Sequence, residues 1–346
     1  MKWLVVHPGP NFSVADVYAG WCDALRDLGQ KVSRYALDER LTLYGSVLVE
    51  CGPGQFRHAF DGPAATERAI DGLYSHLYRW RPDVLLVVSG FFVPADLLDL
   101  ARSYGTRVVT LHTEEPYEHA RELALAAHAD LALVNDPTNL DAFRAVTRAE
   151  YVPHAYRPEI HHPGPPAADC AADLAFVGTG YPSRIAWFEA LHGAGALDGL
   201  DVLLGGNWQA LAEPSPLRKY VGHDLEACLE NTDAADIYRS ARVGVNLYRR
   251  EAETEALAAG WAMGPREVEM AACGMYYLRD PRGEGDELLS MLPRFASPGE
   301  AAEQLRWALA HPDSCAATAR AAREAVADRT FRNHAALLLR WLDRKD

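Results

Sequence analysis

The chain has 346 residues, 49% hydrophobic and 24% charged. At roughly 150 residues per domain this size predicts two folded domains, and the composition excludes a disordered chain, a collagen-like repeat and a disulfide-stapled mini-domain. Acidic residues outnumber basic ones 48 to 34, for a formal charge of -14, which argues against general nucleic-acid binding or attraction to an anionic membrane.

The amino-terminal run MKWLVVHPGP is stopped by Pro8, too early for a signal peptide or a membrane span. The six cysteines lie far apart with no C-x-x-C pair, a pattern of reduced thiols that leads us to expect a cytoplasmic protein without a metal framework. Lys2, Lys31, Lys219 and Lys345 are the only lysines, so arginine is the expected ligand for any phosphate.

Four apolar, β-branched runs follow in the first half, at residues 3–7, 83–88, 107–112 and 130–135, separated by stretches such as 14–28 and 95–103 with helical spacing. Apolar on both faces and joined by no hairpin turn, they read as buried parallel strands. Between residues 151 and 173 five prolines break the pattern, predicting an extended connection. A second series begins at Asp173, with strands expected at 173–178, 201–206, 242–248 and 275–280, and residues from Glu300 onward read as helical. The expected organisation is a first α/β domain over 1–155, a linker over 156–172, a second α/β domain over 173–328, and a carboxyl-terminal helix over 329–346. Two doubly wound, Rossmann-like α/β domains would face each other across a cleft where ligands bind at the carboxyl ends of the strands.

Two segments carry the strongest chemical signals. In FVGTGYPSRIAWFEAL a strand ends at Gly178, and a helix begins near Pro182, so its free amides and positive end can receive an anion. Arg184 adds a bidentate donor. The same pattern fits an ordinary strand-to-helix turn with a solvated arginine. In GPREVEMAACGMYYLRDPRGEGDELL, Pro265 opens a short helix and Gly274 closes it. Glu269 is then a carboxylate on a small apolar helix, placed to accept ribose hydroxyls or, alternatively, to serve the helix dipole. Trp208, Tyr238 and Tyr248 could stack on a base or sugar, or belong to the core. His161 and His162 have no partner at metal-ligand spacing.

These segments resemble the nucleotide-sugar domain of glycosyltransferases with the GT-B fold, and most closely the spore-maturation CgeB-like branch related to the retaining family 4 enzymes. The resemblance rests on Phe176 to Gly178 with Tyr181 to Arg184, on Arg266 to Gly274, on Asp280 to Arg282, and more loosely on the crossing from Tyr151 to His161. It implies a hexosyltransferase-like activity that moves a sugar from a UDP or GDP sugar to an acceptor, with retention and without metal or other cofactor.

The same resemblance implies a donor site made of Gly178, Thr179, Tyr181, Arg184, Asn246, Tyr248, Trp261, Arg266 and Glu269. Arg184 and Arg266 would neutralise the departing diphosphate, and His112, ending its strand, would stand near the donor sugar. The acceptor side would comprise Pro8, Gly9, Asn11, Glu114 and Glu115. The carboxyl-terminal helix, around residues 330–345, would dock on the first domain through Phe331, Ala335, Leu338, Leu339 and Leu342. Family 4 enzymes carry a second glutamate eight positions before the one matched by Glu269, and here that position is Trp261. Either Glu255 or Glu267 substitutes, or stacking and backbone amides hold the sugar, or turnover is lost. A binding module without turnover and a sugar-nucleotide epimerase are the competing functions, and the acceptor is unassigned.

Overall fold

The computed structural model describes every residue except 11–13, 253, 255–257 and 344–346. Asn11, Glu255 and Lys345 therefore lie outside the described residues. The chain divides into two compact units, Met1–Val152 with Phe331–Asp346, and Pro153–Thr330.

Unit 1 is built on a parallel sheet of β1 (Lys2–Val6), β2 (Lys31–Tyr35), β5 (Val84–Val88), β6 (Arg107–His112), β7 (Leu131–Val134) and β8 (Ala149–Tyr151), in the order β2-β1-β5-β6-β7-β8. The central strand β5 is buried at every residue. Helices cover both faces of such a sheet, which is why its strands need apolar side chains on both sides. They are α1 (Ala15–Asp27), α2 (Leu37–Ser46), α3 (Gly62–Trp80), α4 (Ala95–Ser103), α5 (His119–Ala126) and α6 (Leu140–Val146). Asp61 starts α3 by accepting the Ala64 amide, satisfying one of the donors left free at a helix start. The chain order reverses between β1 and β5, so the loops after these two strands flank the switch point of the sheet. An antiparallel hairpin, β3 (Leu48–Gly52) with β4 (Gln55–His58), stands outside the main sheet.

Unit 2 has a parallel sheet of β9 (Ala172–Val177), β10 (Val202–Gly205), β11 (Ala241–Asn246) and β12 (Tyr277–Arg279) in the order β10-β9-β11-β12. Its helices are α7 (Pro182–Gly193), α8 (Asn231–Ser240), α9 (Pro265–Cys273), α10 (Gly283–Leu288), α11 (Pro298–Ala310) and α12 (Pro312–Ala325). Phe176, Phe188 and Trp208 meet edge to face in the core beside β9. Trp208 is fully buried and Tyr238 nearly so, which places both in packing. Pro265 opens α9, and Gly274 closes it at φ +80°, a left-handed conformation that disfavours a β-carbon.

The proline-rich stretch after Val152 is docked on unit 2. The Tyr156 amide donates to the Arg329 carbonyl at 2.9 Å, and Arg239 donates to the Ile160 carbonyl at 2.9 Å. The residues after Glu300 do not form one helix: Pro312 starts a new one after His311, and a third, α13 (Phe331–Asp343), begins beyond a turn.

Although last in sequence, α13 packs on α1 in unit 1. Phe331 lies against Gly20, where any β-carbon would fall 2.3 Å from its ring, and meets Trp21 at 65°. Ala335 and Leu338 are fully buried, and Arg148 donates to the Trp341 carbonyl at 3.2 Å. Leu339 and Leu342 are only half-buried. The two units are Rossmann-like α/β folds, and the final helix completes the first of them.

Candidate functional site

In unit 2 the chain order reverses between β9 and β11, so the loops after these strands form the switch point. Arg184, in the first turn of α7, closes it. Its Nε and Nη2 donate to the Leu247 carbonyl at 3.0 and 2.7 Å, and Nη1 donates to the Thr179 carbonyl at 2.9 Å. The guanidinium also lies over the rings of Phe176 and Tyr181, and only 6% of the residue is exposed. The group expected to face a diphosphate is therefore turned inward, tying the β9 loop to the β11 loop.

The amino end of α7 also has an anion, and it is the chain's own. Glu251 accepts from the Ser183 amide at 2.9 Å and from its hydroxyl at 3.2 Å. Burial alone would raise its pKa, but these bonds and the Arg250 amide leave it below the ordinary value. Nothing local in the sequence signals this contact, because it joins residues 68 apart.

Arg266 is the guanidinium left available. Among the described residues it has no hydrogen-bond or ion-pair partner, it is half-exposed, and its Nε lies 3.2 Å from where a Gly178 β-carbon would stand. Gly178 thus makes room for an arginine side chain at the end of β9. One turn along α9, Glu269 is 8% exposed, and Asn231 Nδ2 at the start of α8 donates to its Oε1 at 3.5 Å. Desolvation raises its pKa to about 7 against the opposing pull of Arg266. Gly178, Arg266, Glu269 and Asn231 all stand at the carboxyl edge of the sheet. Asn231 was missed as a site residue because only the packing of α8 on α9 gives it a neighbour.

The remaining donor-side residues are largely committed to structure. The Tyr248 hydroxyl donates to Glu267, its amide donates to Asp280 at 3.2 Å, and Arg282 covers its ring at 4.2 Å. Its ring is therefore not free to stack on a base. Asn246 is buried at the end of β11, where its carbonyl receives the Asp280 amide at 3.1 Å. Tyr181 sits between the guanidinium groups of Arg184 and Arg249, each 5.1 Å from its ring. Glu267 is fully buried, its pKa raised by desolvation to about 8, so it does not stand in for the second glutamate that the resemblance implies. A cavity of about 140 Å³ lined by Ser183, Arg184, Tyr248, Arg250 and Asp280 is smaller than the roughly 300 to 1,000 Å³ of small-molecule sites.

Trp261 packs on the start of α10. Its carbonyl receives the Glu284 amide at 2.9 Å, and its ring edge lies 2.3 Å from where a Gly283 β-carbon would be. Gly283→Ala is expected to lower the stability of unit 2 by about 1 to 3 kcal/mol through overpacking, measured by denaturant unfolding. An unchanged midpoint would show that the indole moves aside without cost.

In unit 1, His112 does not face outward as expected from its strand-end position. It is fully buried, with Nε2 2.8 Å from Thr110 Oγ1, Nδ1 4.0 Å from Glu122, and the Phe143 ring beside it. Desolvation pushes its pKa down to about 3. The alternation of β6 turns odd and even side chains to opposite faces, and this one meets α5 and α6. Glu115 is also buried, accepting from Asn139 at 3.0 Å and lying 2.8 Å from His119, so its oxygens already have partners. Glu114 is half-exposed, and its amide donates to Glu122 at 3.0 Å. Pro8 is buried, and Gly9 adopts φ +96° against the Phe92 ring. Among the described residues no group of three or more His, Cys, Asp or Glu is placed to hold a metal ion, and no helix is long and apolar enough to cross a membrane.

Residues 184–340 match the family described as glycosyl transferase-like. No curated protein sequence matches the chain. Among solved structures, the E. coli trehalose-6-phosphate structure bound with UDP-2-fluoro glucose is similar at a TM-score of 0.64 and 13% identity, covering 100% of both chains. HepE from Anabaena, in complex with UDP, is similar at 0.62 and 13%, covering 99% of this chain and 100% of that one. AviGT4, a glycosyltransferase of avilamycin A biosynthesis, is similar at 0.59 and 18%, covering 98% and 96%. With two Rossmann-like units and these neighbours, the chain has the GT-B glycosyltransferase fold, and its residues 184–340 carry the glycosyl transferase-like family match.

Proposed function

We propose that the chain is a glycosyltransferase that takes a sugar from a nucleoside diphosphate donor, with retention of configuration and without a metal ion. The observation that carries the reading is the pair on α9: an available guanidinium, Arg266, against Gly178, and a nearly buried carboxylate, Glu269, one turn away. A nucleoside diphosphate sugar presents complementary groups, two vicinal ribose hydroxyls and a doubly charged diphosphate that gains a further negative charge as the bond to the sugar breaks. Arg266 then stabilises charge as the diphosphate departs, and Glu269 fixes the ribose and so the direction of the sugar. The UDP ligands of two structural neighbours favour a UDP sugar as donor. The likeness of the motifs around Arg184 and Arg266 to the CgeB-like and family 4 branches supports a retaining enzyme of that kind, and the six free cysteines support a cytoplasmic setting.

Incubation with a panel of UDP and GDP sugars in the presence of EDTA tests this reading. The expected result is release of free UDP from one donor, by hydrolysis or by transfer to added sugars. Binding without release would favour a module without turnover, conversion of the donor sugar would favour an epimerase, and activity abolished by EDTA and restored by magnesium would exclude the metal-free mechanism.

Ribose recognition by Glu269 has a pH signature. The ionised carboxylate accepts both hydroxyls, whereas the acid accepts fewer. With the pKa raised to about 7, the affinity for uridine is expected to rise between pH 6 and 8. In Glu269→Gln it should be weaker and flat with pH. A flat profile in the unmodified protein would remove Glu269 from the ribose site.

A further inference from the structure

We propose that unit 2 has a second binding site, for a phosphate-bearing small molecule, at the amino edge of its sheet. A cavity of about 530 Å³ opens there, within the size range of small-molecule sites. Its floor is formed where β11 begins at Ala241 and where Met275 leads into β12, and one wall is the small-residue face of α12, Ala316 and Ala319. The strand β11 runs six residues from this cavity to the carboxyl edge, about 17 Å. The cavity lining shares no residue with Gly178, Asn231, Arg266 and Glu269, its nearest approach being Cys273, one turn of α9 beyond Glu269.

Four guanidinium groups line the cavity, those of Arg239, Arg242, Arg320 and Arg323. Arg239 is anchored by the Ile160 carbonyl and by Asp236, and Arg242 by Asp173 at 2.7 Å and the Leu309 carbonyl at 2.7 Å. Arg320 and Arg323, exposed and three positions apart on α12, have no hydrogen-bond or ion-pair partner among the described residues. Two aspartates against four arginines leave a local positive excess in a chain whose formal charge is -14. Three positions apart on one helix and both lining the cavity, the two available guanidinium groups can meet the oxygens of one phosphate together. Behind them the surface is apolar and aromatic, with Met275 and the Tyr276 ring, so the fitting ligand has an anionic head and a flat or apolar body.

Phenyl phosphate is the probe. Its 31P signal should broaden on addition of the protein, and the broadening should be lost in Arg320→Glu/Arg323→Glu and retained in Arg266→Ala. Phenol at the same concentration should not compete. Both arginines are exposed, so the double variant should keep the native unfolding midpoint, and Arg320→Ala/Arg323→Ala serves where charge reversal disturbs folding. No broadening with the unmodified protein, equal broadening with the folded double variants, or broadening abolished by Arg266→Ala instead would each overturn the site.

Discussion

Arg184→Ala is expected to lower the stability of unit 2 by about 3 kcal/mol, whereas Arg266→Ala is expected to leave stability unchanged and to weaken UDP binding about 10- to 100-fold. The two arginines look alike in sequence, each near the start of a helix at the sheet's carboxyl edge. They differ in what they touch. The Arg184 guanidinium makes three bonds to two carbonyls across the switch point; its removal strands the buried Leu247 carbonyl, at about 1 to 3 kcal/mol, leaves the Thr179 carbonyl only its bond from the Tyr181 amide, and opens the space that the side chain fills. Lysine cannot span both carbonyls in the plane that the fork provides, so Arg184→Lys should recover little. Arg266 has no described hydrogen-bond partner to strand, so truncation removes the charged bonds that it makes to a ligand, worth about 1.5 to 3 kcal/mol, together with its pull on the Glu269 carboxyl. Denaturant unfolding and UDP titration on the same two variants separate the roles. An Arg184→Ala protein of native stability with lost UDP affinity would return the diphosphate to Arg184.

Removing the chain from Phe331 onward is expected to leave unit 1 unfolded or aggregated while unit 2 keeps its secondary structure. The helix buries Phe331, Leu338 and Trp341, two of them at 5% exposure or less, and at about 2 to 3 kcal/mol for each large side chain the loss consumes most of the 5 to 15 kcal/mol margin of a domain. Phe331→Ala alone should cost about 3 kcal/mol. Hydrogen exchange resolved by segment would show the effect, and native protection across residues 1–152 in the truncated chain would refute it.

The α/β architecture was legible because buried parallel strands advertise themselves: β5, β6, β7 and the four strands of unit 2 are apolar on both faces and lie within one or two residues of the expected positions. The edge strands β2 and β8 were not, since KVSRY and AEY have one solvated side and carry no continuous apolar run. Nor was the hairpin of β3 and β4, whose residues are almost all exposed. At the candidate site, Gly178, Arg266 and Glu269 stood out through their helix-terminal and small-residue settings. The orientation of side chains did not, because it depends on contacts between distant segments. Arg184 points inward to Leu247, 63 residues away, and His112 is covered by Glu122 and Phe143. A strand end specifies where a residue is, and the neighbouring helices decide which way it faces.

The return of α13 to unit 1 has a consequence for how the protein is made. Unit 2 is continuous in sequence, but unit 1 needs residues from both ends of the chain. On the ribosome the earlier segment, Met1–Val152, must therefore wait for the later one, which starts at Phe331, while about 180 intervening residues emerge at about 5 to 20 per second. For roughly 10 to 40 s the face of α1 around Gly20 and Trp21 has no cover, although the later unit can already close upon itself. Unit 2 can thus close before unit 1 although it is synthesised later, and through that interval the apolar face of α1 is open to solvent.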